Sequence, residues 1–412
     1  MNNKPVSIFS LAVIVAALGY FVDIYDLLLF SIIRIPSLRS LGLDSDAISK
    51  DGLFIINVQM MGLLVGGIFW GVLGDKKGRL NVLYASIILY SLGNIANGFV
   101  QTVNQYAAVR FITGFGLAGE LGAGITLVSE LLPKEKRGIG TSLVAGIGLT
   151  GAVFAFFIKE AFDWRTCYFI GGGLGFMLLF LRVGVLESGM FKSVQNSAVE
   201  KGNFFMLFRN GERVKKYVTA ILIGLPTWYV IGILVTFSKE FGEKMNLQGA
   251  VDPGKAVMFA YAAISIGDIV IGFVSQWMRS RKKAVLLFYL ITIVAIFWFF
   301  NLEGQTPAQL YMACALLGFG TGFWAIFVTM AAEQFGTNIR STVTTTVPNF
   351  VRGALIPINA IFNMLVVRYG MIHSGYIMMF VLTAIALFSL SQLKESFSKD
   401  LDYVEDEKNF AS

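Results

Sequence analysis

Charged residues are scarce in this chain. Asp, Glu, Lys and Arg make up 14% of its 412 residues, whereas roughly 25% is usual in a soluble domain. Hydrophobic residues make up 56%, and they fall in repeated runs of about twenty, the length that crosses a bilayer core as a helix. Outer-membrane barrels show short alternating segments instead. The composition therefore predicts an all-α polytopic membrane protein whose surroundings are a lipid bilayer.

Histidine and cysteine are almost absent. A single histidine, His373, makes a histidine-based metal site or catalytic triad improbable, and the two cysteines, Cys167 and Cys314, form neither a metal motif nor a disulfide framework. We find no nucleophile–base set and no phosphate loop, so we predict no catalytic residue, metal site or cofactor, and no enzyme. The net charge of +7 does not indicate nucleic-acid binding, because the basic residues are dispersed among short loops, where they set topology.

The apolar runs predict twelve membrane-spanning helices in two groups of six. The predicted spans are 8–33, 53–73, 80–100, 106–131, 139–157, 167–185, 217–237, 256–277, 285–300, 310–331, 343–367 and 377–393. This divides the chain into an N-terminal bundle at 1–186, a linker at 187–216, a C-terminal bundle at 217–393 and a frayed polar tail at 394–412. The loops after helices 2, 4, 6 and 8 hold most of the lysine and arginine, which predicts a plasma-membrane protein, such as one of a bacterial inner membrane, with both termini cytoplasmic.

The two predicted groups share a weak internal repeat. Gly318-Phe319-Gly320 repeats Gly114-Phe115-Gly116 at an offset of 318 − 114 = 204 residues. The pair Glu333 and Arg340 repeats Glu130 and Arg137, with the same spacing of seven residues. The repeat suggests two halves that are built alike.

One loop carries a recognisable signature. The stretch from Gly71 to Arg79 reads G-V-L-G-D-K-K-G-R and resembles the G-x-L-x-D-[RK]-x-G-R-[RK] motif between helices 2 and 3 of the major facilitator superfamily, with Leu80 as a departure. The second half has a decayed copy from Gly272 to Lys283, in which Gln276 stands at the aspartate position. The resemblance implies two six-helix bundles that rock about a central site, exposing it alternately to each side.

Other motifs are similar to a particular branch of that superfamily. Phe21 to Asp26 resembles the F-x-E-W-Y-D pattern of metabolite:proton symporters, and Arg110 to Glu120 resembles their R-x-x-x-G…G-G-E pattern on helix 4. Glu187 and Glu395 stand in motifs similar to those that follow helices 6 and 12 in this branch and in sugar porters. The branch implies symport with protons.

Four ionisable residues inside predicted spans are candidates for proton coupling. Asp23 and Asp26 are three residues apart, so they share one helix face, and two carboxylates that close do not both ionise easily at low dielectric. Arg110 and Glu120 are ten residues apart, about 15 Å along a helix, so each needs a partner on another helix. The aspartates of helix 1 are candidate partners for Arg110. The alternative is a fixed ion pair that braces helices 1 and 4.

Arg352 is the main candidate for substrate binding. It lies twelve residues beyond Arg340, about 18 Å along a helix, near the middle of the membrane. A guanidinium suits bidentate binding of a carboxylate. Asp268, the other deep charge of this half, is also a candidate for substrate binding. The alternative is that Asp268 pairs with Arg352 and leaves neither charge for substrate. Weaker candidates, each more often a packing residue in a membrane helix, are Gln59, Trp228, Tyr229, Trp324, Asn349 and Asn359.

Charged residues at the ends of the spans form a predicted cytoplasmic gate. Their spacing is alike in both halves, and they look like the ion pairs with which this superfamily closes its inner side. The alternative is ordinary topology-setting charge. The predicted gate residues are Gly71, Asp75, Gly78, Arg79, Glu130, Arg137, Glu187, Glu333, Arg340 and Glu395.

Together these features predict a secondary active transporter. The expected mode is proton-coupled uptake of a small organic anion, such as a mono- or dicarboxylate, by a monomer. A zwitterion or a sugar remains an alternative substrate, and export or a non-transporting membrane sensor remains an alternative function.

Overall fold

The computed structural model of the chain describes residues 7–182 and 200–405. Within these residues it is all-helical, with twelve long helical segments that we number in chain order. Eleven are long and apolar enough to cross a membrane, and the remaining one, α3, has 19 residues. The twelve are α1 (Leu11–Ser40), α2 (Ser45–Lys77), α3 (Arg79–Asn97), α4 (Val103–Leu131), α5 (Arg137–Ala161), α6 (Trp164–Leu181), α7 (Gly211–Val235), α8 (Pro253–Trp277), α9 (Arg281–Phe300), α10 (Pro307–Gln334), α11 (Arg340–Tyr369) and α12 (Met371–Gln392).

The predicted all-α fold with twelve spans is confirmed, but several helices extend beyond the predicted bounds. The polar stretch 37–51, predicted as a loop, is mostly helical, because α1 continues to Ser40 and α2 begins at Ser45. The side chain of Asp44 accepts a hydrogen bond from the N–H of Ala47 and so caps α2. Hydropathy marks the part of a helix that fits the bilayer core, whereas caps decide where the helix begins.

Two helices are interrupted at equivalent places in the two halves. The first segment of α4 ends at Leu117 and the second begins at Glu120. In α10 the segments end at Thr321 and begin at Trp324, an offset of 324 − 120 = 204 residues that matches the repeat in the sequence. The interruption in α10 is stabilised by Asp268 of α8, whose Oδ1 accepts a hydrogen bond from the N–H of Ala325 at 3.0 Å.

Helices α1 to α6 and α7 to α12 form two bundles that meet along two pairs of helices, α5 with α8 and α2 with α11. Small residues let these helices approach closely. A Cβ atom at Gly71 of α2 would lie 2.9 Å from the Cα of Thr342 in α11. Large apolar side chains on the outside of the bundle are exposed as expected for lipid contact, among them Phe180, Trp277, Val367 and Phe388.

The two ends of the bundle differ in charge. We call the end that carries Lys76, Lys134 and Lys282 the basic face, and the other end the opposite face. The predicted frayed tail is wrong for residues up to Glu405, because this segment packs on the basic face. Leu401 is fully buried, and the carboxylate of Glu405 pairs with Arg213 at 3.0 Å.

Candidate functional site

A small central cavity lies between the two bundles. Its volume is about 20 Å³, room for about one water molecule. Helices of both halves contribute its walls, which are mainly aromatic and aliphatic, with one charged side chain, Arg352. The aromatic lining residues are Tyr20, Trp228, Tyr261 and Trp324.

Arg352 is buried in this wall without an acidic ion-pair partner in the part of the chain that the structure describes. Its Nη1 donates a hydrogen bond to Oδ1 of Asn349 at 3.2 Å, and its Nε has no hydrogen-bond partner among the described residues. The guanidinium carbon lies 6.0 Å from the ring centroid of Trp228 and 5.9 Å from that of Trp324, within the range of a cation–π contact. The arrangement leaves guanidinium N–H groups for an anion in the cavity.

The alternative pairing of Arg352 with Asp268 is not present. One oxygen of Asp268 accepts from the backbone N–H of Ala325 and the other has no hydrogen-bond partner within the described part of the chain. Asp268 therefore stabilises the interruption of α10 rather than neutralising Arg352. The sequence could not show this, because the interruption of α10 was not predicted.

Asp23 is a second buried charge without a direct partner. Its side chain is completely buried, and neither carboxylate oxygen has a hydrogen-bond partner among residues 7–182 and 200–405. It is close enough to Arg352, Glu120 and Asp26 to interact with them electrostatically. Asp23 thus interacts electrostatically both with Arg352 of the cavity wall and with charged residues of α1 and α4.

Asp26 and Arg110 form the ion pair that was expected between helices 1 and 4. Arg110 Nη1 lies 3.3 Å from Asp26 Oδ1, and its Nη2 donates to the carbonyl of Asp26 at 3.0 Å. The Nε of Arg110 donates to Oε1 of Gln59 at 3.3 Å, and Gln59 Nε2 donates to the carbonyl of Leu27 at 3.1 Å. Gln59 therefore holds Arg110 and the backbone of α1 together.

Glu120 pairs with Arg182, which the sequence analysis missed. The Nη2 of Arg182 donates to Oε1 of Glu120, and its Nη1 donates to the carbonyl of Leu83 at 3.0 Å. Both charged groups are buried within the N-terminal half. Arg182 lies near the end of the sixth apolar run, where an arginine is usually a topology signal, so only the need of Glu120 for a partner pointed to it.

The weaker candidates fall into two groups. Trp228 and Trp324 line the cavity, whereas the hydroxyl of Tyr229 donates to the carbonyl of Gly375 at 2.6 Å and packs α7 against α12. Two asparagines of α11 bridge the halves: Asn349 Nδ2 donates to the carbonyl of Ala118 at 2.9 Å, and Asn359 Nδ2 donates to Asn57 Oδ1 at 3.4 Å.

The basic face is closed by two glutamates that are related by the repeat. Glu130 accepts from Arg79 of its own half at 2.9 Å and from Arg340 of the other half at 3.1 Å. Glu333 likewise pairs with Arg281 of its own half at 3.3 Å and with Arg137 of the other half at 3.8 Å. With Asp75, these residues form what we call the basic-face gate. Arg281 was not among the predicted gate residues.

Asp75 joins the halves through the start of α11. Its carboxylate accepts from the backbone N–H groups of Ser341 at 3.0 Å and Thr342 at 2.8 Å, where the positive end of the helix dipole favours an anion. Gly78, with a φ of 104°, ends α2 in a conformation that favours glycine. In the repeat, Gln276 replaces Asp75, so only one half has a carboxylate in this place.

Two threonine pairs extend the closure from the gate toward the cavity. Thr126 and Thr344 hydroxyls lie 2.5 Å apart, and Thr329 and Thr141 hydroxyls lie 2.8 Å apart. Each pair joins the two halves, and the repeat relates one pair to the other.

Glu395 does not bridge the halves. Its carboxylate accepts from the Ser280 hydroxyl and from the backbone N–H of Arg281 at 3.0 Å, which caps the start of α9. Burial raises the pKa of Glu395, but hydrogen bonds from Ser280 and from backbone N–H groups outweigh burial and hold the pKa below its usual value. Glu187 lies outside the described residues.

The opposite face is closed by ion pairs that the sequence analysis also missed. Arg34 of α1 pairs with Glu240, in the short helix Ser238–Lys244, at 3.1 Å. Lys159 of α5 pairs with Asp252 at the start of α8 at 3.6 Å. Each pair joins the two halves, so the central cavity is covered at both ends.

Comparison with known proteins places this architecture in a family. Residues 9–358 match the sequence model of the Major Facilitator Superfamily. The chain is 25% identical to the putative niacin/nicotinamide transporter NiaP of Bacillus subtilis, over 82% of this chain and 84% of that protein. It is 26% identical to the probable 4-methylmuconolactone transporter of Cupriavidus pinatubonensis, over 79% of this chain and 76% of that protein.

A solved structure shares the fold. The proton:xylose symporter XylE, bound to 6-bromo-6-deoxy-D-glucose, superposes with a TM-score of 0.75 over 96% of this chain and 98% of that one, at 17% identity. The sequence match, the twelve helices and the two related halves agree, and this chain belongs to the major facilitator superfamily of membrane transporters.

Proposed function

We propose that this transporter carries a small organic carboxylate together with protons, by alternating access through the central cavity. The observation on which the proposal rests is Arg352, a buried guanidinium without an ion-pair partner in the described chain, set between two tryptophan rings. A charge at such depth is expensive and usually functional. Relatives named as transporters of 4-hydroxybenzoate and sialic acid, both carboxylates, support an anionic substrate.

Asp23 and Asp26 are the proposed proton carriers. Asp26 is held by Arg110, which keeps its charge under all ordinary conditions, while Asp23 is buried without a hydrogen-bond partner among the described residues. Protonation of one carboxyl group would change the charge balance around Arg110 and Arg352 as the substrate binds. The name of XylE as a proton symporter supports coupling of this kind.

The proposed orientation of the protein in the membrane follows from the distribution of charge. By the positive-inside rule the basic face is cytoplasmic, with both termini on that side. Breaking the basic-face gate would then open the cavity to the cytoplasm, and breaking Arg34–Glu240 and Lys159–Asp252 would open it to the outside. Each chain holds both halves of the pathway, so we propose a functional monomer in a bacterial inner membrane.

A zwitterion is a second candidate substrate, favoured by one observation. Asp23 and Arg352 are within electrostatic range of each other near the cavity. A ligand with an ammonium and a carboxylate group would satisfy both charges. Asp23→Asn would then weaken zwitterion binding directly, whereas a plain carboxylate would lose only its proton coupling.

Uptake into proteoliposomes tests the proposal. With an acidic outside and a neutral inside, labelled pools of carboxylates, amino acids and sugars are offered in turn. Accumulation of a carboxylate pool that a protonophore abolishes supports proton-coupled anion symport. Accumulation of amino acids alone favours the zwitterion, and accumulation of sugars alone contradicts the role of Arg352 as the anion site.

A further inference from the structure

We infer that Asn349 is a positioning residue that makes the affinity of Arg352 for the anion depend on which face of the transporter is open. The inference rests on the proposed function, namely that a carboxylate binds Arg352. Asn349 lies one helical turn before Arg352 on α11, and Oδ1 of Asn349 accepts the hydrogen bond from Arg352 Nη1. The same amide also forms a hydrogen bond with the N-terminal half of the molecule.

The partner of Asn349 in that half is a carbonyl at the interruption of α4. Asn349 Nδ2 donates to the carbonyl of Ala118 at 2.9 Å, directly after the first segment of α4 ends. The last carbonyls of a helix have no partner within the helix, so they are available to other donors. The interruption thus provides the acceptor that fixes Asn349.

The remaining hydrogen of the amide is also used. Nδ2 donates to the carbonyl of Thr345 at 2.8 Å, so both N–H groups and the oxygen of Asn349 have partners. Gly67 of α2 packs against the side chain, since a Cβ atom there would lie 3.0 Å from the Cβ of Asn349. Asn349 is therefore held in one orientation by α2 and α4 together.

This orientation decides how Arg352 faces the cavity. Asn349 takes one N–H of Nη1 and leaves the Nε edge of the guanidinium without a protein partner in the described chain. The Nε and Nη2 groups form the edge that binds a carboxylate with two parallel hydrogen bonds. With Asn349 fixed, that edge is already positioned when the anion arrives, which reduces the entropic loss of binding.

Opening the basic face removes the fixation. Because α11 and α4 belong to different halves, their separation on that side breaks the bond between Asn349 and Ala118. Arg352 then loses its orientation and the anion is released more readily. The repeat places Gly146 and Leu149 of α5 at the corresponding positions (349 − 203 and 352 − 203). Only the C-terminal half therefore has the asparagine and arginine at these positions.

The test compares the affinity for radiolabelled nicotinate measured from the opposite face with that measured from the basic face. KM is measured by counterflow, without a proton gradient, in vesicles that expose either the opposite face or the basic face. For Asn349→Ala we expect KM to rise about tenfold from the opposite face, as for a lost hydrogen bond to a charged group, and less than about threefold from the basic face. An equal change from both faces, or no change, overturns the inference.

Two further variants separate this idea from simple damage to the fold. Asn97→Ala removes a buried asparagine bond, to the hydroxyl of Thr113, that involves neither Arg352 nor the contact between the halves, and it should leave the ratio of the two KM values unchanged. Asn349→Asp places a carboxylate on Arg352 and should abolish binding from both faces. If Arg352→Gln itself keeps the KM of the unmodified protein, the proposed anion site fails. If Arg352→Gln loses binding while Asn349→Ala acts equally from both faces, only the present inference fails.

Discussion

Arg352 is the residue on which the proposed transport site depends. Its charge is buried near the middle of the bundle, and its contacts are an asparagine and two tryptophan rings. A purely structural arginine would be expected to have an acidic partner, as Arg110 has in Asp26 and Arg182 has in Glu120. This difference is why we propose substrate binding for Arg352 and local stabilisation for Arg182.

Replacing Arg352 should therefore weaken anion binding specifically. Arg352→Gln removes the charge and the paired N–H groups, and we expect KM for the accumulated carboxylate to rise at least about tenfold. Arg352→Lys keeps the charge but lacks the planar guanidinium, so its KM should lie between those of the unmodified protein and Arg352→Gln. Arg368→Gln, at an exposed position near the end of the same helix, is the matched control. Unchanged affinity in Arg352→Gln would return Arg352 to a structural role.

The aspartates of α1 should control accumulation rather than binding alone. Asp26→Asn removes the carboxylate that pairs with Arg110, so we expect loss of uphill uptake while exchange of substrate across the membrane continues. In the unmodified protein uptake should fall as external pH rises, because the carrier carboxyl group must load a proton. Asp46→Asn, at an exposed position before the second span, serves as the control. Normal accumulation by Asp26→Asn would exclude Asp26 as the coupling residue.

At the scale of helices, the sequence predicted the spans and the deep charges but not the interruptions. Repeated apolar runs identify spans, and an ionisable residue inside a run is conspicuous. Glycines such as Gly119 and Gly322 are frequent in membrane helices, so they do not mark an interruption without knowledge of the packing. The ion pairs of the opposite face were missed for a related reason: Arg34 and Glu240 lie just beyond the ends of predicted spans, where charge is ordinary.

The cap of α9 should make a pH-dependent contribution to stability. Glu395→Gln weakens the acceptor of the Ser280 and Arg281 hydrogen bonds, and we expect a loss of about 1 kcal/mol at neutral pH. The pKa of Glu395 is depressed in the folded protein, so its stabilisation is present above the unfolded pKa, about 4.3. It is lost as pH falls through the lower, folded value. Thermal unfolding in detergent should therefore separate the two proteins at pH 7, and the difference should shrink as the pH is lowered.

The tail segment contacts the arginines of the gate from both halves. The carbonyl of Leu401 accepts from Arg340 Nη2 at 2.6 Å, and the carbonyl of Lys399 accepts from Arg137 Nη1 at 3.2 Å. The bond between Arg137 and Lys399 exists only while the basic face is closed, because these two residues belong to different halves. The tail therefore adds to the stability of that closed state.

Deleting the chain from Lys399 onward should shift the transporter toward opening at the basic face. A cysteine at Ser341, buried with a hydroxyl that has no partner among the described residues, should react with a thiol reagent several-fold faster. Removing the tail also uncovers the basic face, and this alone would raise the labelling rate of Ser341→Cys. A second reporter, Ser238→Cys on the opposite face, is therefore needed. Its labelling should slow if the population has shifted. Asp402→Asn, at an exposed tail position, should change neither rate.

For the whole molecule, the two sets of ion pairs act against each other. The basic-face gate and the pairs Arg34–Glu240 and Lys159–Asp252 join the same two halves at opposite ends. A rocking motion that breaks one set preserves the other, and the population of each state depends on their difference in free energy. The gate has two glutamates, each bonded to arginines of both halves, so it is the stronger of the two sets by number of buried pairs.

Removing one glutamate or the other should move the population in opposite directions. Glu130→Gln removes the carboxylate that joins Arg79 to Arg340 of the other half, so labelling of Ser341→Cys should rise and labelling of Ser238→Cys should fall. Glu240→Gln should do the reverse, by a smaller factor, because Glu240 is partly exposed and its pair with Arg34 is weaker. Combining the two changes should restore an intermediate ratio, since each acts on one end of the same equilibrium. If both single variants raise labelling at both reporters, the faces open independently and rigid rocking of the two halves is excluded.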